Sequence, residues 1–494
     1  MMPLSRQGRD NAPLVASELA WPLFCTLCAL GLGGCLLTDK SLWVDEAASA
    51  GFALGGPSAW LADHNMALYY MLLGAWLRVF GSSELALRLP SVLCFAASVP
   101  LMYCVARISF GISTARAASL FHVGNAFLLQ YAQEARGYML VVLWVLAAQL
   151  ALLCLLERPR LRLSVIYGVC LGLASYAHLF AFWTLLAHVL VLAPRCLRGG
   201  PERRALLTAF GGALLISAPL FMQLASATTA QVSWIRPANA LALVALPVIW
   251  SGGGVLLALV ICALFTIFGR ALFTQDARLR LHTQLVVAWL LVPLAATLCL
   301  SALVAPMLIP KYLIGAVPAL QLGAAAALMQ LPRRAANVIA LLWVALSVQN
   351  IHDWHTDQQK ERWREAVALL DSGMRAGDAL LLDLPCPEPF DYYVTQQHLD
   401  ARWASPRWPV RGWAFPTPNE QAVTRDAVLE QLARELPARI WQISNRSVAP
   451  PTLGPLGARY QVKTEQLVAR GDSADALFGA KDALIITIRV LTRL

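Results

Sequence analysis

Apolar runs of about 20 residues recur from near the start of the chain to residue 349, and they limit the fold more than any other feature. As a helix, such a run crosses a hydrocarbon core of about 30 Å. Inside lipid every backbone N–H and C=O must be satisfied within the protein, so the spanning elements are helices or a closed barrel. The runs fall at 19–38, 89–106, 117–132, 138–156, 163–177, 180–194, 205–224, 241–269, 282–304, 312–331 and 335–349. Composition agrees: 58% of residues are hydrophobic and 14% charged, against about 45–50% and 25% in soluble domains. The expected fold is a polytopic α-helical membrane protein with about eleven transmembrane helices.

The formal charge of +10 would suggest nucleic acid in a soluble protein. Here the basic residues punctuate the apolar runs, so they read as topology signals and call for no nucleic-acid partner. With the N-terminus cytoplasmic, the inner connections hold 16 arginines and the outer ones only Lys40, Arg78, Arg88, Arg136, Arg236 and Lys311. The positive-inside rule then orients the protein, and an odd number of spans puts the tail outside. Most of the 11 cysteines lie within apolar runs, and Cys386 is alone in the tail, so neither an intramolecular disulfide nor a metal-type Cys pair is expected there.

Two domains are expected: 1–350 as the transmembrane module, with a first outer loop at 39–88, and 351–494 as a small soluble α/β domain. Within the loop, Pro57–Ala62 and Leu68–Phe80 have helical patterning with Trp60, Tyr69, Tyr70 and Trp76, aromatics that settle at the headgroup level. In the tail, helices are expected at Gln358–Arg375 and Thr424–Leu436, and strands at Ala379–Asp383, Arg439–Ser444 and Leu484–Leu491. Pro247 and the run Ser251-Gly252-Gly253-Gly254 divide the long span 241–269.

Polar chemistry collects in the outer connections, in three clusters: Asp45-Glu46, Gln133-Glu134-Ala135-Arg136-Gly137-Tyr138, and Pro310-Lys311-Tyr312-Leu313. Ionisable residues at a membrane segment are costly unless compensated, which makes them candidates for function. Transfer from a lipid phosphate requires a carboxylate to take a proton and positive charge to hold the departing phosphate. Asp45 is suited to the first task; Arg136, Arg88 and Lys311 are suited to the second. Adjacent side chains on a helix diverge by about 100°, so one of Asp45 and Glu46 faces the reaction while the other anchors the loop or helps a cation. Glu134 and Arg136 also have the pattern of a structural ion pair, and Lys311 that of a snorkelling lysine. His64 and Glu84 are weak candidates for a divalent cation, 20 residues apart in sequence with no dense ligand cluster around them.

These motifs lie in order over about residues 40–320, with Glu84-Leu85-Ala86-Leu87-Arg88-Leu89-Pro90 and Tyr176-Ala177-His178 between them. On them the chain resembles the bacterial membrane glycosyltransferases of the GT-C fold, those like protein O-mannosyltransferases and the lipid A aminoarabinose transferases. The resemblance implies a polyprenyl-phosphate sugar donor, an inverting transfer and a site facing the periplasm of the inner membrane. It implies Asp45 as catalytic residue with Glu46 beside it, and Glu134, Tyr138, His64, His178 and Tyr312 in support. Two positions depart from the family pattern: His64-Asn65-Met66 replaces His-Pro-Pro, and Lys311 stands where an Arg commonly precedes the Tyr. The tail is similar to the small periplasmic domain of some relatives, with Trp363-Arg364-Glu365 near its start.

The sequence leaves the acceptor open among a lipid, a glycan and a protein, and it names no cofactor, with a divalent cation as the candidate. The competing reading is a carrier or flippase for lipid-linked sugars, which predicts internal repeats and polar residues at the midplane. A sensor whose tail binds a partner is a third.

Overall fold

A computed structural model of the chain describes residues 16–63, 65–224, 235, 237–356, 360–375, 378–384, 387–396, 407–411, 425–444, 454–468 and 486–494. They form two compact units: one of 1–37, 53–81 and 86–356, the other of 38–52, 82–85 and 357–494.

The first unit is helical. Among the described residues, eight helices are long and apolar enough to cross a membrane: Glu84–Phe110, Tyr138–Glu157, Leu179–Leu197, Pro201–Gln223, Val255–Phe273, Ala277–Leu303, Pro310–Leu328 and Arg333–Thr356. Shorter apolar helices stand at Glu18–Gly34, Ala67–Phe80, Leu161–Ala177 and Ala240–Trp250. At its centre lies Val317–Leu328, in which every residue is buried. Half of its sequence, VPALQLGAAAAL, is Ala or Gly, small residues that let neighbouring backbones approach without a hydrophobic driving force between them.

Two apolar runs are broken, each for a local reason. The run at 117–132 divides into Ile112–Val123 and Ala126–Ala132. Asn125 caps the second piece by accepting from Leu128 N at 2.9 Å, and its Nδ2 donates to Trp250 O at 2.9 Å. The run at 241–269 divides where Gly252, Gly253 and Gly254 take φ of 102°, 99° and 81°, a left-handed stretch that side chains with a Cβ avoid. Buried polar groups tie the helices together: His122 sits between Ser98 (2.7 Å) and Gln321 (2.9 Å), and His188 between Tyr167 (2.9 Å) and Gln149 (2.7 Å).

The second unit holds a five-stranded sheet of order β2-β1-β3-β5-β4, with β1 at Ala379–Leu384, β2 at Arg407–Arg411, β3 at Arg439–Ser444, β4 at Tyr460–Val468 and β5 at Ile486–Arg493. Strand β1 runs parallel to β2 and β3, while β5 is antiparallel to β3 and β4. Helices Trp363–Gly373, Glu388–Gln396 and Arg425–Glu435 complete it. Sequence patterning indicates the three central strands; it misses β2 and β4, both at edges. β2 contains Pro409, which a sheet tolerates only where an N–H is not needed. Asp378 fixes the entry to β1, accepting from Arg375 N (2.8 Å), the Arg439 guanidinium (2.6 and 2.9 Å) and Trp441 Nε1 (3.0 Å).

Replacing Asn125 by Ala removes a helix cap, which costs about 1 kcal/mol, and strips a buried carbonyl of its donor. A clearly lower unfolding temperature in detergent is expected; an unchanged one would mean that the break is held elsewhere.

Candidate functional site

The central motif forms a turn, residues 133–137, between the helices Ala126–Ala132 and Tyr138–Glu157. Gln133 is architectural. Its Nε2 donates to Cys35 O (2.7 Å) and Gly33 O (3.1 Å), while its Oε1 accepts from Trp354 Nε1 (2.7 Å). Gly137 permits a close approach, since a Cβ there would stand 2.7 Å from Ala177 O and 3.2 Å from the Tyr69 side chain. The turn is thereby pressed between the helices Ala67–Phe80 and Leu161–Ala177. Ser91 Oγ donates to Arg136 O at 3.2 Å and helps fix the backbone of the charged residue.

From this turn the Arg136 side chain reaches Tyr70, whose hydroxyl it contacts at 3.2 Å. That hydroxyl donates in turn to Asp63 Oδ2 at 2.5 Å. Asp63 Oδ1 accepts from Asn65 N at 3.2 Å, and Asn65 Oδ1 accepts from Leu179 N at 3.0 Å. The Asn65 side chain thus fastens its own backbone, held by Asp63, to the start of the segment after His178.

His178 is 1% exposed and caps two elements, ending Leu161–Ala177 and opening the 3₁₀ turn Leu179–Phe182. Its Nδ1 accepts from Phe180 N at 3.3 Å. A neutral ring that accepts at Nδ1 carries its proton on Nε2, and that buried nitrogen has no hydrogen-bond partner among the described residues. The ring lies 4.9 Å from Tyr312 and 5.6 Å from Tyr138, centre to centre, within electrostatic reach of Arg136 and Lys311. The Arg136 guanidinium in turn lies 5.9 Å from the Tyr138 ring centre.

Lys311 and Tyr312 stand on the 3₁₀ segment Pro310–Ala316, broken by the non-helical Leu313. Two indoles hold the segment by its ends: Trp250 Nε1 donates to Pro310 O (3.2 Å) and Trp289 Nε1 to Gly315 O (2.8 Å). Lys311 is 4% exposed. Glu134 is buried beside Gln130, 3.4 Å from its amide nitrogen. Arg88, also 1% exposed, donates to Leu37 O at 2.8 Å and braces the chain where it leaves the first helix.

In the second unit, Asp45 lies in the first turn of the helix Val44–Leu54 and is half-buried. Glu46 points elsewhere: its carboxylate is fully buried and paired with Lys360 at 2.9 Å. Glu84 is held by the Arg364 guanidinium at 2.5 and 3.2 Å and accepts from the Tyr393 hydroxyl. Burial, and then the Glu84 carboxylate, push that hydroxyl well above its ordinary range, so it stays a donor. With these two partners Glu84 is an anchor. His64 lies outside the described residues. Among the described residues no group of three His, Cys, Asp or Glu side chains is placed to hold a metal.

Sequence reasoning missed Trp354, Lys360 and Tyr393, and took Tyr70 only as an interfacial aromatic and Asn65 only as a departure from the family pattern. Each acts through a partner distant in sequence, except the Asp63-x-Asn65 spacing, which is the signature of a side-chain-closed turn.

Residues 63–223 match the family model described as dolichyl-phosphate-mannose-protein mannosyltransferase. Among solved structures the fold is similar to ArnT from Cupriavidus metallidurans in the apo state (TM-score 0.61, 12% identity, 96% of this chain and 98% of that one). The form of ArnT bound to undecaprenyl phosphate gives 0.59 at 13% identity, with the same coverage. The Archaeoglobus fulgidus oligosaccharyltransferase tethered with an acceptor peptide gives 0.53 at 11% identity, over 87% of this chain and 69% of that one. No curated protein sequence matches the chain. The chain thus shares the fold of ArnT over nearly its whole length, and the match to the mannosyltransferase family model lies within it at residues 63–223.

Proposed function

We propose that the protein transfers a sugar from a polyprenyl-phosphate carrier to an acceptor hydroxyl at the outer face of a bacterial inner membrane, with inversion at the anomeric carbon. The observation that carries this reading is the cluster of Arg136, Tyr138, His178, Lys311 and Tyr312, two cations and a spare imidazole N–H among aromatic rings. A phosphodiester on a long apolar chain, which leaves as a phosphate monoester, needs donors of this kind beside lipid. ArnT, of similar fold, has been solved with undecaprenyl phosphate bound. The asymmetry of arginines between the connections supports an outward-facing site, a cytoplasmic N-terminus and an external tail.

In the proposed reaction the acceptor oxygen attacks the anomeric carbon on the face opposite the phosphate. The Asp45 carboxylate takes the hydroxyl proton, the bond from carbon to phosphate oxygen breaks, and its electron pair leaves with the polyprenyl phosphate. Arg136 and Lys311 stabilise the charge that develops on that phosphate. His178 Nε2 adds a neutral donor, which favours an oxygen anion without competing for the base's proton. Tyr138 and Tyr312 shape the pocket, and Glu134 supports the turn carrying Arg136. Arg88, committed to Leu37 O, has a bracing role.

Asp45→Asn keeps the shape and removes the base, so transfer should fall about 10²–10⁴-fold while the protein still inserts and copurifies with its lipid-linked sugar, as read by mass spectrometry. Normal turnover in that variant would reject Asp45 as base. Lys311→Met and Arg136→Met should lose the copurified lipid phosphate; unchanged lipid content in both would remove them from the donor site. Tyr70→Phe deletes the oxygen joining Arg136 to Asp63, and a rise of about tenfold in donor KM is expected from a loss of about 1.4 kcal/mol.

A further inference from the structure

We propose that Lys360, Arg364 and Tyr393 are positioning residues for Asp45, so that the segment following the last membrane helix sets the direction of the catalytic carboxylate. The proposal rests on the reading of Asp45 as the base.

Residues 38–52 fold with 82–85 and the tail in one unit, and there the short stretch around Asp45 is tied down at four points. Arg364 Nη2 donates to Thr38 O at 2.7 Å while the same guanidinium grips Glu84. Ser41 Oγ donates to Glu365 Oε2 at 3.0 Å. Leu42 N donates to the Tyr393 hydroxyl at 2.7 Å, and that hydroxyl donates onward to Glu84. Glu46 is paired with Lys360, the two side chains being 0% and 5% exposed. Asp45 lies between the third and fourth of these ties.

The Glu46 tie decides rotation. Neighbouring side chains on a helix are set about 100° apart. A carboxylate drawn into a buried pocket by an ammonium therefore prevents the first turn of Val44–Leu54 from rolling and fixes the arc that Asp45 faces. The Arg364, Ser41 and Leu42 ties hold the chain that enters this turn, so its position along the helix axis is set as well. A reacting group displaced by about 1 Å can lose about 10²-fold in rate, which makes such fastening a matter of kcat.

The test uses the full chain in nanodiscs. The double variant Glu46→Gln, Lys360→Met replaces the buried ion pair by neutral groups of similar size, which avoids a stranded charge. Tyr393→Phe removes the hydroxyl that joins Leu42 to Glu84 without changing any charge. Both are expected to retain the lipid-linked sugar and a donor KM within about twofold of wild type, while kcat falls about tenfold or more. Lys360→Arg, which preserves the charge, should recover most of the kcat. If both variants insert and turn over at the wild-type kcat, the positioning role is overturned; a fall in kcat matched by an equal rise in donor KM would overturn it too. Asp45→Asn is measured beside them. Should it be active, the reading of Asp45 fails; should it be inactive while the Glu46/Lys360 and Tyr393 variants are normal, only the positioning proposal fails.

Discussion

At the end of an apolar helix the Arg136 guanidinium donates to the Tyr70 hydroxyl, and Tyr70 can accept it because its own proton goes to Asp63. A cation in such a place must be compensated or reach water, and the Tyr70 hydroxyl is one of its partners. The hydroxyl thereby helps to steer the guanidinium. Much of the surrounding architecture serves that arrangement. Gly137 lets the turn sit against Ala177 and Tyr69, Gln133 secures its start, and Asn65 locks the Asp63 turn to the segment beyond His178.

The second cation is presented differently. Lys311 depends on a short 3₁₀ segment suspended between two indole N–H groups. A lysine is a point charge on a flexible stem, without the fork of a guanidinium. Rigidity of the segment therefore matters more here than it would for an arginine, and the buried Trp250 and Trp289 supply it.

Much of the helical architecture is legible in the chain, since runs of about 20 apolar residues permit few alternatives in lipid. The break at Gly252–Gly254 can be read directly, because successive glycines are where positive φ is cheap. The break at Asn125 is not apparent, as a single capping residue inside an apolar run looks like an ordinary polar substitution. In the site, patterning brings out Arg136, His178 and Lys311, which stand in distinct short motifs. It does not reveal that Arg88, of the same charge and similar position, donates to a carbonyl 51 residues away. The divergence of Asp45 and Glu46 follows from helix geometry alone. That Glu46 is the buried member depends on Lys360, which sits 314 residues further on.

That long-range pairing bears on how proteins of this design can change over time. The second unit is assembled from three separate stretches of chain, and its buried or half-buried charges, Glu46, Glu84, Lys360 and Arg364, are matched across those stretches. A tail exchanged with that of a distant relative would arrive without its counter-charges and leave carboxylates stranded in a dry interior. Inheritance of the tail is therefore coupled to inheritance of two short pieces near the beginning of the chain, and recombination that shuffles one without the others is selected against by electrostatics before any question of substrate arises.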